Sequence, residues 1–256
     1  MKLVLGPGGL GGLYSMIGSL KSIEERLDLF DEISGSSAGS MLAVFLGVGL
    51  SVDAILEKAL SMNIRDIVGT FKIKSLLSQF GLMSTDKCRE AVVHICGGDP
   101  TFRELKKKVH VSAYCVNRSQ TVYFNRDTHP DMHVADAVCM SISIPLIFAS
   151  FPYKGDIYID GCTVELLPLT PFLLCRPEDV FIICIESTET SQHEITSITE
   201  YISCLFARFS KFRPESPQFT QRLSTTIDTY QSINFDMTLE EKLTLYAKGF
   251  KEKIIY

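Results

Sequence analysis

Three observations predict an α/β fold: three layers, helices on both sides of a mostly parallel central sheet. Two short apolar runs near the start each end in glycine. A helical hydrophobic pattern follows each of them. Further apolar runs then alternate with helical stretches along the 256 residues. Strand, glycine loop, helix, strand, tight turn and buried helix together open a βαβ unit, whose crossover makes the two strands parallel.

KLVL (2–5) is a continuous apolar run and reads as a buried strand. From Gly12 the period changes: Leu13, Met16, Ile17, Leu20, Ile23 and Leu27 recur on one helical face. LFDEIS (29–34) reads as the second strand, and the uncharged stretch 38–50 as a buried helix. VDAILEKAL (52–60) and DKCREAVVHIC (86–96) are helical, and Thr101 and Glu104 stand at capping-box spacing. VHVSAYCV (109–116) and TVYFN (121–125) read as adjacent strands. MHVADAVCMSIS (132–143) is a helix that must end before Pro145. DIYID (156–160) and DVFIICIE (179–186) read as strands, with a further strand expected within 224–236. Thr238 and Glu241 form another capping box, opening a terminal helix. The segment 187–225, Ser/Thr-rich and then Pro-containing, reads as a lid or helical excursion on one domain spanning 1–256.

A net charge of −5 lacks the basic footprint of a nucleic-acid binder. The eight cysteines stand singly, mostly in apolar runs, and form no C-x-x-C pair. They read as buried free thiols of a reducing, cytoplasmic compartment. The five histidines make no ligand pattern for a metal. The apolar start is broken by Gly and Pro after Leu5, unlike a signal peptide, and 33–52 is too rich in Ser and Gly for a spanning helix.

Two stretches carry chemistry. In GPGGLGG (6–12), a glycine loop between strand and helix, amides of a helix N-terminus can converge on negative charge. That charge is a phosphate or the oxyanion of acyl transfer; the third reading is tight packing alone. Gly6-Pro7-Gly8-Gly9-Leu10-Gly11 satisfies G-x-G-x-x-G, so a nucleotide site with Asp31 as its acid is a rival. Gly35-Ser36-Ser37-Ala38-Gly39 is G-x-S-x-G at a strand-to-helix junction, the context of a nucleophile elbow; a Ser-capped helix start is the plainer reading. Adjacent parallel strands put the glycine-loop amides beside Ser37, where an oxyanion would need them.

A base is also required. Ser37, Asp160 and His193 follow the chain order of a triad, but His193 lies in a polar segment and reads as an exposed loop residue. Asp160 ends a strand before Gly161, which would bring its carboxylate to the carboxyl edge of the sheet. Burial should raise its pKa toward that of a working base.

These pieces resemble the patatin-like phospholipases, lipid acyl hydrolases with a Ser–Asp dyad. Their glycine loop, G-x-S-x-G and D-G-[GA] are matched by Pro7-Gly8-Gly9-Leu10-Gly11-Gly12, Gly35-Ser36-Ser37-Ala38-Gly39 and Asp160-Gly161-Cys162. Likeness continues in GLMSTDKCREAV, TFREL, ADAVCMSISIPLIFASF and FDMTLEEKLTLYAKGF. The resemblance implies Ser37 as nucleophile, Asp160 as base, and the amides of Gly8, Gly9 and Ala38 as oxyanion hole. It implies no metal or cofactor, a phospholipid or other lipid ester as substrate, and transient peripheral contact with a membrane. FARFSKFR (206–213) either faces lipid headgroups or is a solvated helix face. Two departures stand out: Gly11 replaces the basic residue usual in the loop, and Cys162 follows Asp-Gly. They motivate the alternative of a weak or inactive lipid-binding relative.

Overall fold

In the computed structural model, the described residues are 1–63, 65, 67, 73–188, 195, 198, 201, 202, 204, 205 and 221–255. Ten strands are described among them: β1 (Lys2–Leu5), β2 (Glu32–Gly35), β3 (Gly81–Met83), β4 (Lys108–Cys115), β5 (Gln120–Phe124), β6 (Leu146–Phe148), β7 (Phe151–Tyr153), β8 (Asp156–Asp160), β9 (Val180–Thr188) and β10 (Gln221–Asp228). The helices are α1 (Gly9–Ser22), α2 (Ala38–Val48), α3 (Val52–Ser61), α4 (Ile73–Gln79), α5 (Asp86–Cys96), α6 (Val134–Ser141), α7 (Thr229–Ile233) and α8 (Leu239–Phe250).

The main sheet runs β10-β9-β1-β2-β4-β8-β7, with β5 also paired to β4. From β10 to β4 all neighbours are parallel, whereas β5, β8 and β7 pair antiparallel. The fold is therefore α/β with a mixed central sheet flanked by helices. β3 and β6 form a separate parallel pair.

Strand alternation divides the core. Leu3, Leu5, Phe181 and Ile183 pack with the helices, while Val4, Val180, Ile182 and Cys184 face the other way. That second face is covered by Leu167, Leu169 and Phe172, from a stretch holding three short 3₁₀ turns at 161–163, 170–172 and 177–179. Leu3, Val4 and Leu5 are fully buried, each gaining about 1.5–3 kcal/mol.

Three expectations shift. α1 begins at Gly9, so the second half of the glycine loop is already helix. It also stops at Ser22, and 24–29 is a 3₁₀ turn that delays β2 to Glu32. The ends of 187–225 belong to β9 and β10; most of its interior, with His193 and 206–213, lies outside the described residues.

At the amino ends of β1, β2 and β4, charges pair across strands. Lys2 stands opposite Glu32, and Glu32 opposite Lys108. Lys2 Nζ lies 2.6 Å from Glu32 Oε1, and His110 Nε2 lies 2.9 Å from Glu32 Oε2. Burial, the largest influence on Glu32, would raise its carboxyl. Hydrogen bonds from Lys2 and His110, with the charges of Lys2 and Lys108, outweigh it and hold the carboxyl at about 2. Burial lowers His110 despite Glu32 beside it. The neutral ring thus donates from Nε2 to Glu32, and Nδ1 faces the Asn125 amide at 3.3 Å.

Both shifts are downward, so both groups stabilise the fold at neutral pH and lose that contribution on acidification. For His110 the loss begins below about 6.5, and for Glu32 it runs from about 4.3 toward its folded value. The melting temperature of wild type should exceed that of Glu32→Gln at pH 7, and the margin should close as the pH falls below about 4.3 toward the folded value of Glu32. A pH-independent margin in a fluorimetric melting series would rule this network out as the acid-sensitive element.

Candidate active site

β2 ends at Gly35 and α2 begins at Ala38, leaving two residues to reverse the chain. Ser37 takes the strain, with φ 52° and ψ −128°. A non-glycine residue in that region costs about 1–3 kcal/mol and persists only where its surroundings enforce it. The flanking glycines permit the enforcement. A β-carbon on Gly39 would lie 2.3 Å from the Leu5 carbonyl oxygen, and one on Gly35 would lie 2.5 Å from the Gly39 oxygen. Small residues here allow both the close crossing of α2 over β1 and the sharp turn at Ser37, whose side chain makes no capping bond to α2.

Ser37 Oγ donates a 2.8 Å hydrogen bond to Asp160 Oδ2. Ser37 is 5% exposed and Asp160 fully buried. Asp160 Oδ1 accepts from the Cys162 amide at 2.8 Å, which turns the carboxylate so that Oδ2 faces the serine.

The route by which Asp160 arrives differs from expectation. β8 is antiparallel, so its carboxyl end does not point with those of β1 and β2. The aspartate meets the elbow because β4 extends beyond β2: Gly35 is opposite Val111, and Asp160 is opposite Ala113 on the same strand. β4 is thus the spacer between the Ser37 turn and the Asp160 carboxylate.

Two neighbouring serines near the end of α6 complete the arrangement. Ser37 N–H donates to Ser141 Oγ at 2.9 Å, and Asp160 N–H donates to the Ser143 carbonyl at 2.9 Å. Sequence reasoning passed over both. The available signal was two serines in an apolar run just before Pro145, because buried hydroxyls are kept where they have partners.

The glycine loop lies beside this pair, since β1 and β2 are parallel neighbours. Gly6 N–H is spent on Ile183 O at 2.9 Å, and Gly12 N–H on Gly8 O at 2.9 Å. Gly8 caps α1, Gly9 opens it, and Ala38 opens α2, so their amides belong to the first turns, which have no intrahelical acceptor. Gly9 and Ala38 flank Ser37 on one wall of a cavity of about 120 Å³. Gly8 is not among the residues lining it. Gly161, itself buried, opens the 3₁₀ turn after Asp160.

The cavity runs inward from Ser37 between α1, α2, α3 and α5, past Leu13, Phe45, Ile55, Ala59 and Ile95. Tyr14 also lines it, with its hydroxyl on Ala59 O at 3.0 Å. Burial pushes the Tyr14 hydroxyl and the Cys88 thiol each up to about 12, so both wall groups stay neutral. A neutral, apolar channel beside a hydroxyl–carboxylate pair suits a hydrocarbon chain carrying a reactive carbonyl at one end.

Gly11 acquires a structural cause. A β-carbon there would lie 2.3 Å from Gln231 O and 3.3 Å from Leu245 Cδ1. α7, held by the Asp228–Gln231 capping box, and α8 fill the space that a basic side chain would enter. The rival nucleotide reading fares worse. Asp31 precedes β2, at the end of the strand away from the glycine loop, and pairs with Lys2 and the amino terminus.

Comparison with known proteins adds an independent finding. The family model described as patatin-like phospholipase matches residues 3–173. Uncharacterized protein R571 of Acanthamoeba polyphaga mimivirus is 25% identical over 97% of this chain and 91% of its own length. Probable lipid hydrolase 463L of Invertebrate iridescent virus 6 is 25% identical over 65% of this chain and 61% of its own. The crystal structure of VipD from Legionella pneumophila superposes with a TM-score of 0.60 at 15% identity, covering 98% of this chain and 65% of that one. That last likeness concerns the fold alone.

Proposed function

The chain belongs to the patatin-like phospholipase family, and on that premise we propose that it is a lipid acyl hydrolase using Ser37 as nucleophile and Asp160 as general base. Family membership supports hydrolysis of lipid esters in general; the dyad and its helpers are our reading. The observation that carries it is the 2.8 Å bond from Ser37 Oγ to Asp160 Oδ2, at the wall of an apolar cavity.

On this reading Asp160 takes the hydroxyl proton as Ser37 Oγ bonds to the ester carbonyl carbon. The carbonyl electron pair moves onto oxygen, which the amides of Gly9 and Ala38 receive, with Gly8 beside them. Collapse expels the alcohol, which leaves with the proton from Asp160. Water then gives a proton to Asp160 and attacks the acyl carbon, and the fatty acid departs as Ser37 Oγ recovers its proton. The acyl chain occupies the cavity. The substrate class is a phospholipid or other lipid ester met transiently at a membrane surface. No helix among the described residues is long and apolar enough to cross a membrane. The same reading takes 1–256 as one domain, supported by β1 and β10 sharing a sheet.

A fluorophosphonate probe tests the nucleophile, since it reacts only with an activated serine hydroxyl. Wild type should label stoichiometrically, with mass spectrometry placing the adduct on Ser37, and Ser37→Ala should neither label nor hydrolyse fatty acyl esters. An unlabelled wild type, or an active Ser37→Ala protein, would sink the assignment.

A further inference from the structure

We propose that Ser141 is a positioning residue for the dyad, and that the chain from Ser141 to Ser143 acts as one clamp on both of its members. The inference rests on the Ser37–Asp160 reading above and assigns it a second set of residues.

The argument starts from the amide of Ser37. The ladder between β2 and β4 ends at Gly35, and α2 begins at Ala38. The Ser36 N–H still reaches the Leu5 carbonyl of β1 at 3.2 Å, whereas the Ser37 N–H finds its acceptor in a side chain. At this depth an unpaired donor would be costly. Ser141 Oγ meets it at 2.9 Å. Ser141 is itself fully buried, at the last position of α6. Two residues on, the Ser143 carbonyl receives the Asp160 amide at 2.9 Å, and the Ser143 hydroxyl turns back to Cys139 O at 2.7 Å, tying the clamp to α6. One rigid turn thus touches the backbone of the nucleophile and of the carboxylate.

The consequence is geometric. Ser37 holds an unfavourable φ of 52°, and its N–H bond to Ser141 is a direct restraint on that torsion. Without it the elbow is free to relax and carry Oγ away from Asp160 Oδ2, which would slow attack while the acyl cavity stays intact. Loss of Ser141 Oγ should therefore act on kcat and leave KM in place.

The test compares Ser141→Thr with Ser141→Val. Both add the same methyl group and differ only in the hydroxyl, so their difference reports the acceptor alone. Hydrolysis of a medium-chain p-nitrophenyl ester is measured, with kcat referred to active sites titrated by the fluorophosphonate probe; misfolded protein then drops out of the count. The Val variant should have a kcat about tenfold below that of the Thr variant, with KM values within twofold. Equal kcat values per titrated site would overturn the proposal. If neither variant folds, amide exchange in wild type decides: a protected Ser37 N–H supports the clamp, and one exchanging with the surface set overturns it. Failure of the dyad reading shows separately, as an active Ser37→Ala protein.

Discussion

Asp160→Asn should lower kcat on fatty acyl esters by about 10³–10⁴-fold, with the protein folded and its melting temperature within a few degrees of wild type. The amide matches the carboxylate in shape and can still accept from the Cys162 amide, as Oδ1 does now. It cannot take a proton from Ser37, whose hydroxyl now donates to Oδ2. On the proposed reading the substitution therefore removes the base and little else. Single-turnover hydrolysis alongside the melting curve is the measurement. Activity within tenfold of wild type, in a protein that still labels at Ser37, would place the base elsewhere. His193 would then return as the candidate, and His193→Ala, expected to be near wild type, would become the losing variant.

Gly39→Ala should be the most damaging single methyl group in the elbow. Its β-carbon would arrive 2.3 Å from the Leu5 oxygen and 2.5 Å from the Gly6 oxygen. Both are backbone atoms of β1 and the glycine loop, so no rotamer change relieves the clash. Overpacking of a well-packed site costs about 1–3 kcal/mol and more where backbone must move. A loss of about 3 kcal/mol corresponds to a fall of roughly 6–12 °C in melting temperature for a chain of this size. Any displacement also drags the Gly9 amide from the Ser37 wall, so the folded remainder should lose activity more steeply than stability. A melting temperature unchanged within 2 °C would contradict the close crossing of α2 over β1.

The elements whose pattern is local were legible in the chain. β1, α2, α3, α5, β4, β5, β8, β9 and α8 lie close to where apolar runs, helical periodicity and the capping box at Thr238 put them. Five short elements were not: α4, β3, β6, β7 and α7 hold three to seven residues each, and none stands out from its surroundings by a period of its own. The early stop of α1 was missed for a related reason, since Ile23 and Leu27 keep a helical spacing through the 3₁₀ turn.

What the sequence determined by itself was the set of motifs: a G-x-S-x-G turn at Ser37, a glycine loop between strand and helix, and an Asp-Gly strand end at Asp160, each written in contiguous residues. What only the tertiary structure decided was how distant pieces meet. β8 runs antiparallel, yet Asp160 reaches Ser37, because β4 outlasts β2 and carries both in register. α7 denies a side chain to position 11, and Ser141 holds the amide of Ser37 across more than a hundred residues. Such contacts depend on strand order and element length, which no single window of sequence encodes, because backbone polarity and side-chain pattern look the same whichever neighbour a strand will choose.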